Sequence, residues 1–430
     1  MSTMRILREF AAVRWLRPLR SRRAVERRQR RLLRAHERFL RRRSPYFAAL
    51  LATRSFAELP LMDKTAMMAH FDEMNTVDVR RDDALALAMA NERSRDFDAD
   101  LGRLSVGLSS GTSGHRGLFV VSAAERDAWV GAVLARTLPR GRLAGHRIAL
   151  FLRADNTLYE SVGSRVVSFR YFDVYADMDD NIDALTEYAP TILVAPPSVL
   201  RRIAQAADDG RFQVAPTKVY AVAEVLEVAD AERIRVALGQ QLLHQLYQCT
   251  EGFLAHTCER GVLHLNEDSV LIEREWLDER RFVPIVTDLR RRAQPIVRYR
   301  LGDVLGLRSE PCGCGSALTA LDRIEGREGD TLLLRGRDGR AIPVFADLVS
   351  RAMLFAEGFD EYRVTQTGES RLEVALDVVD ELSRGSVEAE LHRLADRLSC
   401  ERPRVEIVPY AHDGSVKLRR VVRAWGDGRV

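Results

Sequence analysis

A chain of 430 residues that is 46% hydrophobic, with modest glycine and proline content, is a core-forming globular protein with room for two or three domains. Five cysteines do not make a disulfide scaffold. No apolar run approaches the roughly 18 residues of a membrane span, and the start lacks a charged-then-apolar leader, so a cytoplasmic protein is expected.

The net charge of +4 hides an asymmetry: residues 1–45 hold 16 Arg, 3 Glu and no Lys, a net of +13 that leaves −9 for the rest. Within this arm "RRAVERRQRRLLRAHERFLRRR" carries Val25, Leu32 and Phe39, with Leu33 and Leu40 beside them, which is a helical stripe with basic flanks. Contact with nucleic acid or an anionic membrane surface is one reading. Phe39 is the only Phe, Tyr or Trp in this stretch, too few aromatics among the arginines for a single-strand binder, which favours the other, a surface helix docked by its apolar stripe. Lysine is scarce throughout: Lys64, Lys218 and Lys417 are the only three among 66 basic residues. A lysine in such a chain points to a task for a compact ammonium that the broad guanidinium does poorly.

After the arm, "FAALLATRSFAELPLMDKTAMMAHFDEMNT" predicts short helices joined at Pro60. From residue 105 to about 300, apolar β-like runs alternate with helical stretches. "RIALFL" precedes "VVSFRYFDVY", "TILVAPP" precedes "SVLRRIAQAADDG", and "TKVYAVAE" precedes "VADAERIRVALGQ" and "QLLHQLYQCTEG". Such alternation predicts an α/β domain with mainly parallel pairing, whose ligands gather at the carboxyl ends of strands. "RFVPIVTDL" and "QPIVRYRLGDVLGLR" predict a more antiparallel, barrel-like subregion, with Asp303 ending a strand. "RIEGREGDTLLLRGRDGRAIP" suits a hinge and a hairpin, and the last hundred residues have a compact α+β pattern. The expected divisions are 1–45, the basic arm; 46–326, the large α/β domain; and 327–430, a small mobile domain.

Five stretches carry the chemistry. In "LSSGTSGHRG" (108–117), hydroxyls and glycine N–H groups can line a polyphosphate and Arg116 adds charge, although neither a Walker loop nor G-x-G-x-x-G fits; a flexible loop is the alternative. "YAVAEV" (220–225) puts an acid at a strand end, "YQCTEG" (247–252) offers a ring, a hydroxyl and a carboxylate, and "RYRLGD" (298–303) holds an Asp. "GREGD" (326–330) is followed far downstream by Lys417. A nucleotide needs such parts: a ring to stack on, donors for phosphate, a carboxylate for Mg²⁺ and an Asp for two ribose hydroxyls.

In this order the stretches resemble the adenylate-forming superfamily of acyl- and aryl-CoA ligases over roughly residues 45–425. "ELPLMDK", "PCGCG" before "RIEGR" and the short C-terminal domain resemble its phenylacetate-CoA ligase and coenzyme F390 synthetase branch. The resemblance implies that Ser109, Ser110, Gly111, Thr112, Ser113 and Gly114 hold the ATP phosphates. It puts Tyr247 against adenine, with Ala223 and Glu224 lining the adenine and substrate pocket. Thr250 would contact phosphate, Glu251 hold Mg²⁺, Asp303 take the ribose hydroxyls, Arg327 sit at the ribose and hinge, and Lys417 reach the α-phosphate. The implied activity is ATP-dependent activation of a small aromatic or apolar carboxylic acid as its adenylate, then transfer to a thiol, coenzyme A first among them. A carrier-protein, amine or other small-nucleophile acceptor is the alternative, and an Arg-rich binding protein on a degenerate ligase scaffold a third. The sequence departs from the family at Gly114-His115-Arg116, where Gly-Lys is usual, at Val225 in place of Pro, and at Gln248 in place of Gly.

Separately, Cys258-x5-His264 and Cys312-x-Cys314 supply three thiols and an imidazole, a full tetrahedral set for structural Zn²⁺. Four reduced residues without metal remain the alternative.

Overall fold

The computed structural model describes all residues except 1, 17–18, 95–100, 103, 109–116, 142, 153–166, 412–417 and 426–430. The fold is α/β, with one large sheet and a smaller α+β lobe. A hairpin of β1 (Leu104–Leu108) and β2 (Leu118–Ser122) stands apart from the large sheet. The parallel half of that sheet contains β3 (His146–Leu152), β4 (Val167–Asp173), β5 (Ile192–Ala195), β6 (Lys218–Val222) and β7 (His244–Cys249), in the order β7-β6-β5-β3-β4. Both faces of the central strands are covered, so "ILVA" and "KVYAV" are buried at every position. Helices Met178–Tyr188 and Pro197–Asp208 close one face over Phe151, Leu193 and Val219. Helix Ala123–Thr137 closes the other over Ile148, Val194 and Tyr220.

At β7 the sheet turns antiparallel. β8 (Gly252–Thr257), β9 (Leu263–Leu265), β10 (Val270–Trp276), β11 (Arg281–Asp288), β12 (Tyr299–Arg300), β13 (Asp303–Leu307) and β14 (Ala320–Arg327) complete twelve strands. They run outward from β7 as β8-β9-β14-β13-β11-β10, with β12 on β11. The run "QPIVRYRLGDVLGLR" is not one strand. Gly302 separates β12 from β13, and its carbonyl accepts from Glu328 N–H (2.7 Å), so Asp303 begins a strand rather than ending one.

The smaller lobe has its own core of Leu332, Leu334, Val364, Val374, Val387, Leu391 and their neighbours. It combines a hairpin, β15 (Leu332–Arg335) with β16 (Ala341–Val344), and a four-stranded sheet. The latter is built from β17 (Tyr362–Gly368), β18 (Arg371–Leu376), β19 (Arg404–Pro409) and β20 (Val421–Arg423) in the order β19-β18-β17-β20. Helix Glu381–Arg397 starts five residues before the amphipathic run "SVEAELHRLADRLS" that predicts it from the sequence, because Asp380 caps it and Ser383 completes the capping box.

The basic N-terminus packs on this body. Helix Arg22–Arg43 buries Val25, Gln29, His36 and Leu40, and Gln29 donates to the Val270 carbonyl (3.1 Å). Its apolar stripe is docked as expected from the sequence, although Leu32 lies at its edge and a histidine takes part. Burial, with Arg292 nearby, pushes His36 down to about 4, so it packs as a neutral ring. Helix Thr3–Ala11 lies across helix Ala123–Thr137, with Glu9 paired to Arg290 and Arg14 donating to the carbonyls of Ala135, Leu138 and Pro139. Their close approach needs Gly131, where a Cβ would stand 2.5 Å from the Ile6 carbonyl oxygen. Gly131→Val should therefore cost about 1–3 kcal/mol through overpacking. Limited proteolysis should release residues 1–20 first in this variant; unchanged cleavage kinetics and melting temperature would contradict the packing argument.

Candidate functional site at the strand ends

Three elements converge where the parallel half meets the antiparallel half. Tyr247 comes near the end of β7, Asp303 begins β13, and Arg327 ends β14 directly opposite Asp303 in the strand register. The Tyr247 hydroxyl donates to Asp303 Oδ2 (2.5 Å), and Arg327 Nε lies 2.9 Å from Asp303 Oδ1. Burial pushes the Tyr247 phenol well up, with the Asp303 charge adding to it, so the hydroxyl stays a donor. The Asp303 charge in turn holds Arg327 above its ordinary value. The Tyr247 ring, 7% exposed, joins the barrel core. In this conformation its link to the site is through its hydroxyl.

Two residues beyond the β7 strand end, Glu251 occupies a tight turn into β8. Thr250 donates to its Oε2 (3.0 Å), and Tyr299 also hydrogen-bonds to it. Gly252 keeps this turn possible: a Cβ there would press on Asp288 Oδ2 at 3.2 Å. Lys64, at the start of helix Lys64–Ala69, faces the same carboxylate; burial pushes its ammonium down and Glu251 opposes that shift. Lys64, Thr250, Glu251 and Tyr299 line a small cavity with apolar walls from Met67, Phe119 and Ile296. A larger groove, about 760 Å³, lies elsewhere, between helix Arg22–Arg43 and the Cys312 turn.

Ser109, Ser110, Gly111, Thr112, Ser113, Gly114, Arg116 and Lys417 lie outside the described residues. The flanks of the first segment are fixed: Leu108 pairs with Leu118, so its two ends stand side by side. Gln294 clamps that base, accepting from Val120 N–H (2.9 Å) and donating to the Leu118 carbonyl (3.0 Å). Arg291 donates to the Thr250 carbonyl (2.9 Å) and so ties the same neighbourhood to the turn. Lys64, Gln294, Arg291 and Tyr299 are site neighbours for which the motif reading gave no role. The scarcity of lysine had marked Lys64, but nothing local identified the others.

Ala223 and Glu224 follow β6. Ala223 has φ 70°, a left-handed conformation that ordinarily favours glycine, and it turns Glu224 across the strand ends. Glu224 accepts from Ser198 N–H (3.1 Å) at the first turn of helix Pro197–Asp208 and from Leu418 N–H (3.4 Å).

On the other side of the barrel, Cys258, His264, Cys312 and Cys314 form one cluster whose ligand atoms all lie within 4.8 Å of one another. Tetrahedral Zn²⁺ with Zn–S bonds of about 2.3 Å sets sulfur–sulfur edges of roughly 3.8 Å and slightly shorter sulfur–nitrogen edges. The Cys258–Cys312 sulfurs are 3.7 Å apart, and Cys314 Sγ is 3.5 Å from His264 Nε2. His264 Nδ1 lies 3.0 Å from the Leu318 carbonyl, which fixes the ring with Nε2 towards the thiols. Arg260 N–H and Ser316 N–H point at the sulfurs of Cys258 and Cys314 (3.4 and 3.5 Å).

No helix among the described residues is long and apolar enough to cross a membrane. No family model matches the chain, and no curated protein matches it in sequence. Its fold does match solved structures. One is 2-hydroxyisobutyryl-CoA ligase in the postadenylation state in complex with R3-HIB-AMP, at 18% identity over 93% of this chain and 89% of that one, TM-score 0.65. The same ligase in the thioesterification state, with 2-HIB-AMP and CoA, gives 0.56 at 18% identity over 93% and 89%. An amide bond synthetase from Marinactinospora thermotolerans matches at 14% identity over 74% of this chain and 68% of that one, TM-score 0.54. The chain thus has the fold of ligases that include acyl-AMP-bound members.

Proposed function

We propose that the protein is an ATP-dependent carboxylic acid ligase that forms an acyl- or aryl-adenylate and passes it to a thiol, coenzyme A in the first instance. One observation carries this reading: Glu251, Asp303 and Arg327, from segments far apart in sequence, stand at one rim of the sheet beside the base of the Ser/Thr/Gly segment. The solved complexes of similar fold, with acyl-AMP and CoA, support the same chemistry.

On this reading Ser109 to Gly114 and Arg116 hold the triphosphate, while Asp303 exchanges its bonds to Tyr247 and Arg327 for the ribose hydroxyls. Ala223 and Glu224 border the adenine. Glu251, oriented by Thr250 and Tyr299, would hold a divalent cation, which when bound neutralises phosphate charge. An aromatic or otherwise apolar acid is the substrate class that the family resemblance implies. The acid carboxylate attacks the α-phosphorus, the bond to pyrophosphate breaks, and Lys417 neutralises the charge that grows on the α-phosphate. The acceptor thiol then attacks the acyl carbon and AMP leaves.

Pyrophosphate release, screened over aryl and acyl acids with ATP and Mg²⁺, tests the activity; parallel arms with coenzyme A and with an amine assign the acceptor. Glu251→Gln should slow release at least about a hundredfold, the usual effect of removing one preorganised charged group. Asp303→Asn should raise the KM for ATP with a smaller effect on kcat. Near-normal kinetics in both variants would refute the nucleotide assignment.

Lys417→Ala should slow pyrophosphate release on the order of a hundredfold. It should leave thioester formation from supplied acyl-adenylate near the normal rate, and equal slowing of both steps would refute its assignment to adenylation.

The cysteine cluster is proposed as a structural zinc site that pins the loop before β9 to the turn before β14. Protein purified under reducing, chelator-free conditions should contain about one zinc per chain, by elemental analysis. Cys314→Ser should lower both the zinc content and the melting temperature. A metal-free protein of unchanged stability would refute the site.

A further inference from the structure

We propose that Arg201, Asp230, Glu361 and Arg420 form a releasable ionic latch between the two lobes, and that Asp230 and Arg420 are positioning residues for the backbone at Leu418–Arg420, which follows Lys417 in the chain. The assignment to a reaction step rests on the function proposed above; the latch itself rests on geometry. Asp230 lies in the first turn of helix Val228–Ala237, where the N-terminal end of a helix favours an anion. Arg201, on helix Pro197–Asp208, brings Nε to 3.1 Å from Asp230 Oδ1. From the smaller lobe, Glu361 precedes β17 and Arg420 precedes β20, neighbouring parallel strands, and Val364 N–H donates to the Arg420 carbonyl (2.7 Å).

The pairs cross the boundary. Arg201 Nη1 donates to Glu361 Oε2 (2.9 Å), and Arg420 Nη2 donates to Asp230 Oδ2 (3.2 Å). Arg420 also lies 3.6 Å from Glu361 and stacks over the Tyr362 ring at 4.9 Å. Arg201, Asp230 and Arg420 are buried, with no side chain above 11% exposed.

The arrangement contains one cation and one anion from each lobe. When the lobes part, Arg201 keeps Asp230 and Arg420 keeps Glu361. Neither half strands an unpaired buried charge, which is the usual penalty for breaking a buried ion pair. Other contacts across the boundary are Ser350 donating to Glu227 (3.1 Å), Leu418 N–H held by Glu224 (3.4 Å), and Phe345 packing on Val283 and Val304 with Arg281 over its ring. An interface of this kind is specific in register yet separable.

The latch also fixes where the chain emerges after residue 417. Leu418 N–H is held by Glu224, Arg419 pairs with Asp330 and Arg420 pairs with Asp230, three consecutive anchors. The first is beside Ala223 at the strand ends, so the latch holds the backbone next to Lys417 at the proposed nucleotide site.

The test uses the full-length chain with Asp230→Asn, Glu361→Gln and Arg420→Met made singly. Two half-reactions are measured: pyrophosphate release, and thioester formation from synthetic acyl-adenylate with coenzyme A. Small-angle X-ray scattering of the substrate-free protein reports whether the lobes separate. Asp230→Asn should lower pyrophosphate release about tenfold, within the range usual for coupling between distinct elements. Its thioester step should stay within about twofold, and its radius of gyration should increase. Should Arg420→Met fail to fold, the near-isosteric Asp230→Asn and Glu361→Gln decide the question. Unchanged scattering, or an equal fall in both half-reactions, overturns the proposal. If the unmodified protein releases no pyrophosphate with any acid, the functional reading and the positioning role fail, while scattering still decides the latch.

Discussion

The Asp303 carboxylate is the constraint on which the rest of the site depends. It is a buried charge at the first residue of β13, accepting from Tyr247 on β7 and paired with Arg327 on β14. β13 and β14 are paired neighbours while β7 lies three strands from β14, so one carboxylate ties β7 to that pair. A carboxylate in such a place is tolerated only when its oxygens are taken, and losing one partner of a buried pair typically costs about 3–5 kcal/mol. Arg327 is also the last residue of β14, and the 3-10 turn Glu328–Asp330 leads from it into the smaller lobe. The same ion pair therefore stands at the start of the connection between the lobes.

That connection is itself held by charges. Arg300 pairs with both Glu275 and Glu328, and Arg419 with Asp330, so the segment after β14 is gripped from the barrel and from the returning C-terminal strand. Gly326, at φ 124°, supplies the backbone conformation just before it, and Val225 lies 3.7 Å from where a Cβ would stand. The position where Pro was the family expectation thus packs against the strand that enters the hinge. Valine fills that contact with a branched apolar side chain, which links this departure from the motif to the lobe connection.

Much of this could be read in the sequence because period and burial reinforce each other. "TILVA" and "KVYAV" are apolar runs bounded by proline, glycine and polar residues, and they became the central strands. The cysteine cluster was legible from residue types alone, since three thiols and an imidazole have few other reasons to meet. Asp303 was misplaced within its element: the apolar residues on both sides of Gly302 make one continuous pattern, and only the Glu328 N–H bond to the Gly302 carbonyl reveals the break. Gln294 and Arg291 were illegible for a different reason. Their task is to bridge β2 to the Thr250 turn, and no local pattern encodes a contact 174 or 41 residues away.

The use of lysine shows how far composition can carry such an argument. Lys64 does face Glu251, where burial and a carboxylate suit a compact ammonium. Lys218 does not follow the rule. It begins β6, at the opposite end of that strand from Glu224, and its Nζ pairs with Glu259 at 2.7 Å. There the strand is buried, and an unbranched stem with a small head passes between its neighbours where a planar guanidinium would need more room. Lys64 and Lys218 both sit in tight places, one at the candidate site and one away from it. The arginines show the converse: at the lobe boundary Arg201 and Arg420 each engage two carboxylates at once, which a forked, planar cation does well and a point charge does poorly.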